Sequence, residues 1–208
     1  MGRWAEDAPG RLRAAALELF GERGYDETTV GDVAARAGLS ERTFFRHFAD
    51  KREVLFDGAR ALEGEIVAAV TAAGPGPSLG VALEGVAAGA RLLEAAVGHE
   101  RARLRARLVA SSDELREREQ MKMAELADAV ARSLAARGCA PAEAGLAAGV
   151  AVATFQAAFA AWTGGDGGAG LDEELDRAAG ALATLAAGAR AHEVRARAAR
   201  GALGTMAR

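Results

Sequence analysis

Alanine supplies most of the apolar residues of this chain, and that bias steers it toward helix. Half of the 208 residues are hydrophobic, yet only 5% are aromatic. β-Branched residues are sparse, while Ala and Leu are strong helix formers. The expectation is an all-α fold of one small and one larger domain, within what this length allows.

Charge and special residues narrow the function classes. A net charge of −3 argues against a protein that coats nucleic acid everywhere, but it leaves room for a local basic face. The single cysteine, Cys139, cannot close a disulfide within the chain, which suits a reducing, cytoplasmic setting. Arg11, Arg13 and Glu18 interrupt the first apolar run, unlike a signal peptide. The stretch 142–162 is the most membrane-like. It is mostly alanine and glycine and contains Glu143 and Gln156, so it reads as a buried helix and no membrane partner is expected. No HExxH, clustered Cys/His set, GxSxG or phosphate loop occurs, and His47, His99 and His192 lie far apart. Neither an enzyme nor a metal or cofactor site is expected.

Stop and start signals divide the chain. A first helix should run from Ala8 to Arg23, with Asp7 as cap, Pro9 in the first turn and Gly24 as the stop. Leu12, Ala16, Leu19 and Phe20 share one face. Thr29 with Asp32 resembles a capping box and opens a second helix at Val30, ended by Gly38. Ser40 caps a third helix that ends near Phe48. Asp50 with Glu53 forms another capping box, from which a long fourth helix is expected to reach Ala73. The run Gly74-Pro75-Gly76-Pro77-Ser78 is the strongest break. Beyond it lie a helix carrying Leu79, Leu83, Val86, Ala90, Leu93 and Val97, and a short one marked by Leu104 and Leu108. A helix capped by Ser111 and Glu114, the apolar helix 142–162, and a last helix from Leu171 to Leu185 complete the series. The divisions expected are a head over 1–56, a body over 57–190, and a basic tail over 191–208 that frays.

The segment Thr28 to Leu55, TTVGDVAARAGLSERTFFRHFADKREVL, carries the most information. Helix, Gly-Leu-Ser turn and short helix make a helix-turn-helix, whose second helix enters the major groove. At about 100° per residue, Arg42, Thr43, Arg46 and His47 fall within one arc, and Phe44 and Phe48 fall opposite. The arc offers two guanidiniums, a hydroxyl and an imidazole. Arginine can read guanine or clamp phosphate, and both roles stay open for Arg42 and Arg46. Lys51, at the start of the next helix, suits a phosphate anchor.

These residues resemble the tetracycline-repressor (TetR) family over roughly residues 11 to 56. Phe20 and Gly24, the cap Thr29, the Ala37-Gly38 turn, the Phe44–Phe48 run and Lys51 all agree in spacing. The resemblance implies DNA contacts from Thr29, Ser40, Arg42, Thr43, Phe45, Arg46, His47 and Lys51. Phe45 stands where tyrosine is commoner, so an apolar contact to sugar or a thymine methyl replaces a phosphate hydrogen bond. The resemblance also implies about nine helices, a homodimer on the last two long helices, a palindromic operator and a ligand-responsive repressor. The alternatives are an activator, a repressor without ligand, or a helical interaction module with no DNA role.

The body offers two stripes on the helix 142–162. Gly145, Gly149, Ala153, Ala157 and Ala161 are small residues four apart and suit close approach of another helix. With Leu175 and Leu182 they are the expected dimer interface. Val152, Phe155, Phe159 and Trp162 suit a core or pocket wall. His99, Met121, Met123, Phe155, Gln156, Phe159 and Trp162 are the candidate pocket lining, and imply a largely apolar ligand. Arg101, Arg103, Arg105 and Arg107 alternate along one short helix, read as a solvated face.

Overall fold

The computed structural model describes residues 7–206, and in its last helix the side chains as far as residue 189. Among the described residues there are nine α-helices and one short 3-10 turn. They are α1 (Ala8–Arg23), α2 (Val30–Arg36), α3 (Glu41–His47), the 3-10 turn Arg52–Leu55, α4 (Ala59–Ala72), α5 (Ser78–Val97), α6 (His99–Ser111), α7 (Asp113–Ala136), α8 (Pro141–Gly164) and α9 (Leu171–Met206). The basic tail expected from residue 191 continues the backbone of α9 to Met206, and its side chains lie outside the described residues.

Local signals place the first three helices. The Asp7 carboxylate accepts from Gly10 N–H at 3.1 Å and caps α1, whose buried stripe is Leu12, Ala15, Ala16, Leu19 and Phe20. Thr29 and Asp32 form the reciprocal capping box on α2, and Ser40 accepts from Thr43 N–H at the start of α3.

The long fourth helix expected from Asp50 to Ala73 is interrupted. Asp50 Oδ1 does accept from Glu53 N–H at 3.1 Å, but only the 3-10 turn follows, and α4 begins at Ala59. Val54 and Phe56 are both buried in the same cluster. Two residues apart on an α-helix, they would point to opposite sides. Breaking the helix lets both side chains plug the head. Ser111 is likewise not the cap of α7: it ends α6, with its hydroxyl on the Leu108 carbonyl at 2.8 Å, and Ser112 takes the cap position.

Two apolar clusters result. One holds Leu12, Leu19, Phe20, Tyr25, Val33, Phe44, Phe48, Val54 and Phe56, and it also takes in Leu108, Val109 and Leu115 from the α6–α7 corner. The head therefore completes its core with residues far along the chain. The other cluster lies between α4, α5, α7, α8 and the start of α9, with Ile66, Val70, Val86, Val130, Leu134, Phe155, Trp162 and Leu171 at its centre.

Side chains from distant helices finish the helix ends. Arg137 donates to the carbonyls of Ala73 at 2.9 Å and Gly74 at 2.7 Å, covering the carboxyl end of α4. Glu94 of α5 accepts from Leu171 N–H at 3.1 Å, at the start of α9. Helix α8 is long and apolar enough to cross a membrane by length and composition. One of its faces is buried in the body core, and the other carries small residues.

Candidate nucleic-acid interface

The turn between α2 and α3 sets the orientation of α3. Gly38 has φ +64°, in the left-handed region that glycine enters freely. Its N–H donates to Ala35 O at 3.0 Å, and Leu39 N–H donates to Ala34 O at 2.8 Å, so the helix ends wrapped on itself. The Arg11 guanidinium donates to the Ala37 carbonyl from α1 and ties the turn to the first helix. Arg36 spans to Glu22 at 2.9 Å and Glu18 at 3.4 Å, clasping α2 against α1.

Helix α3 is two-faced. Phe44 and Phe48 are buried, with ring centroids 5.3 Å apart. Ser40, Arg42, Phe45, Arg46 and His47 are exposed and Thr43 is half-buried. Phe45 is 54% exposed, and its ring meets Phe44 edge-on at 5.6 Å. Phe45 is thus a large apolar side chain left in water beside Arg42 and Arg46. Arg46 and His47 lie side by side, Nη2 to Nε2 at 3.3 Å.

Two expected anchors have occupations of their own. The Thr29 hydroxyl donates to Asp32 Oδ2 at 2.6 Å and accepts from Asp32 N–H at 3.1 Å, so a phosphate would share it with the capping box. Lys51 does not open an α-helix. Its ammonium donates to the Tyr25 carbonyl at 2.8 Å and lies 4.0 Å from the Tyr25 ring centroid, which pins it beside α1 and leaves protons for a phosphate.

The capping box also sets an acid response. The hydrogen bonds from Thr29 hold the Asp32 carboxyl below the usual carboxylate range, and those from Arg36 do the same for Glu22. Depressed values mean stability that is present above the ordinary carboxylate range and lost as pH falls through the lowered values. Thr29→Ala is expected to cost about 1 kcal/mol at neutral pH, read by urea unfolding, with the gap to wild type narrowing in acid.

A seam of charged groups joins the head to the body. Arg118 Nε donates to Glu53 Oε1 at 2.6 Å, and Arg105 pairs with Glu119 at 2.6 Å, donates to Leu55 O at 2.9 Å and lies over the Phe56 ring. Arg13 pairs with Asp57 at 2.6 Å, and Arg52 reaches Glu114 at 3.5 Å. Burial and the neighbouring carboxylate of Glu114 push the Tyr25 hydroxyl well above its ordinary value. Arg105 is thus a joint, and not part of the solvated face expected of the four alternating arginines. None of these pairs is visible in the sequence, because each joins residues far apart along the chain.

The expected pocket wall is mostly core. Phe155 and Trp162 are buried in the body, Phe159 packs at their edge, and His99 sets Nε2 3.0 Å from the Trp162 carbonyl. Gln156 is half-buried. Met121 of α7 is 50% exposed. A cleft of about 520 Å³ instead opens between α4 and α7, lined by Ala59, Arg60, Leu62, Glu63, Gly64, Arg118, Lys122, Met123, Glu125 and Leu126. Met123 is the one expected lining residue found there. His99 borders a shallow cleft beside Asp166 and Gly167. Both aromatic stripe and cleft depend on helix packing, which local periodicity does not report.

On α8 the small stripe faces outward. Gly145, Gly149, Ala153, Ala157 and Ala161 are exposed, together with Leu146 at 71% and Leu185 of α9 at 72%. Leu182 is half-buried. Leu175, expected at an interface, is only 4% exposed because the chain's own core consumes it.

Residues 12–57 match the family model for bacterial regulatory proteins of the tetR family. The chain is 43% identical over 60 residues to the HTH-type transcriptional regulator TcmR of Streptomyces glaucescens, a match that covers 29% of this chain and spans 26% of TcmR. In fold it is similar to SmeT, the repressor of the Stenotrophomonas maltophilia multidrug efflux pump SmeDEF, with TM-score 0.54 at 19% identity over 85% of this chain and 88% of that one. The SmeT–triclosan complex aligns with TM-score 0.56 at 21% identity, over 85% and 91% of the two chains.

Proposed function

We propose, starting from the match of residues 12–57 to the tetR family of bacterial regulatory proteins, that this chain is a DNA-binding transcriptional regulator acting as a homodimer. It reads a two-fold symmetric operator and releases it when a small molecule binds the body. The observation that carries this reading is the two-faced α3: Arg42, Phe45, Arg46 and His47 stand in solvent while Phe44 and Phe48 hold the helix from behind. That surface fits a major groove, with phosphate contacts around it.

The test is gel-shift titration on operator fragments selected from random DNA. Arg42→Ala is expected to cost about 1–3 kcal/mol of binding, with relaxed preference at one base position if it reads a base. Lys51→Ala is expected to weaken all sites evenly and to flatten the salt slope by about one counterion. Unchanged affinity and salt slope in both variants would remove the DNA role from this surface.

The homodimer rests on the outward small stripe of α8 beside the exposed Leu185 of α9, a pairing that suits a four-helix interface. A Cβ at Gly149 would meet nothing within 4 Å in the single chain. Gly149→Leu is therefore expected to leave helix content and folding intact while shifting sedimentation from dimer to monomer. A variant that stays dimeric would place the interface elsewhere. Ligand release rests on a cleft whose α7 wall is continuous with the seam to the head. The complex of the fold relative SmeT with triclosan supports a small-molecule partner of the same general kind.

A further inference from the structure

Arg118 belongs to two sites at once. It lines the cleft between α4 and α7, and its Nε donates to Glu53 in the 3-10 turn of the head. Both side chains are largely covered, at 16% and 22% exposure. The two Nη nitrogens of Arg118 make no hydrogen bond among the described residues, so four N–H donors of the same guanidinium remain uncommitted.

The charge balance of the cleft is incomplete without the head. Its lining holds Arg60, Arg118 and Lys122 against Glu63 and Glu125. Lys122 and Glu125 pair at 3.0 Å. The carboxylate bonded to Arg118 is Glu53, which does not line the cleft, while Glu125 in the lining and Asp50 act on its charge without a hydrogen bond. The Glu53 carboxylate also holds the guanidinium firmly in its charged form. Ala59, Leu62, Met123 and Leu126 supply an apolar wall beside these cations.

We propose that the cleft binds an amphiphilic anion whose acidic group takes Arg118 in exchange for Glu53, while its apolar part lies on Leu62, Met123 and Leu126. This deepens the regulator reading and rests on it. Two carboxylates on one guanidinium repel each other, so the ligand weakens the bond that ties the turn after α3 to α7. The loss falls at the joint between the DNA-reading helix and the body, which makes Glu53 and the ligand competitors and couples the cleft to the head.

The test is calorimetric titration of the full chain, without DNA, with decanoate, decyl phosphate and decanol. At least one acid is expected to bind about tenfold tighter than the alcohol, as a charge-assisted hydrogen bond implies. Glu53→Gln removes the competitor and is expected to tighten the acid about fivefold or more with no change for decanol. Arg118→Met is expected to bring acid and alcohol to equal affinity, and this stands as the deciding variant if Glu53→Gln fails to fold. Equal binding of acid and alcohol by wild type, no binding of any of the three, or acid affinity unmoved by Glu53→Gln would each overturn the proposal. DNA binding in gel shifts without any acid preference sinks this inference alone. An acid preference in a chain that binds no DNA keeps the site and sinks the regulator reading.

Discussion

Phe44→Ala is expected to cost about 3–5 kcal/mol of folding stability, the range for emptying a fully buried aromatic site. Phe44 has no exposed surface, and its ring touches both Phe48 and Phe45. It is also the residue that fixes the roll of α3 against α1 and α2. The loss therefore falls on two readouts. Urea unfolding moves to lower denaturant, and binding to a selected operator falls because the cationic face loses its backing. The cluster is shared with Leu108, Val109 and Leu115, so the damage spreads to the α6–α7 corner. Hydrogen exchange is expected to quicken there as well as in the first three helices. A loss under about 1 kcal/mol, in the range of an ordinary surface substitution, would mean that Phe44 is not the keystone of this head.

The second large effect lies between α4 and α5. These helices approach closely because Gly85 and Gly89 carry no side chain. A Cβ at Gly85 would come within 2.5 Å of Val70 Cγ2 and 3.2 Å of the Ile66 carbonyl, and one at Gly89 within 2.5 Å of Ile66 Cγ1. Both Ile66 and Val70 are buried and β-branched, so they have little rotamer freedom with which to yield. Each glycine is expected to lose about 1–3 kcal/mol on substitution by leucine, by overpacking. The helix-propensity gain of about 1 kcal/mol from removing glycine offsets only part of this. Because both leucines displace the same Ile66, the double variant is expected to depart from additivity. Thermal unfolding of the two single variants and the double variant gives the comparison. Gly80→Leu near the start of α5 is the internal control, since a Cβ there meets nothing within 4 Å. Equal stability in all of these variants would mean that the α4–α5 approach tolerates a side chain.

The first three helices were readable to the residue because their signals are local. Asp7, Thr29 and Ser40 each bond backbone within three residues, and the turn at Gly38 is closed by backbone bonds to Ala34 and Ala35. The outward arc of α3 followed from the same economy, since Phe44 and Phe48 have one apolar cluster to enter. The interruption after Asp50 was not readable. The carboxylate cap is there, but whether the helix continues depends on Val54 and Phe56 finding room in the same core. The cleft between α4 and α7 was not readable for a related reason. Aromatic residues on α8 mark an apolar face, and only helix packing buries Phe155 and Trp162 in the body core.

Residue chemistry at short range dictated the helical class, the caps, the recognition turn and the face that α3 turns to solvent. Helix packing decided where the head ends, which arginines are joints, which leucine of α9 is spent inside, and where a cavity survives. The division has one physical cause. A cap or a turn is closed by atoms three or four residues apart, whereas Arg118 and Glu53 are neighbours only after the whole body has folded against the head.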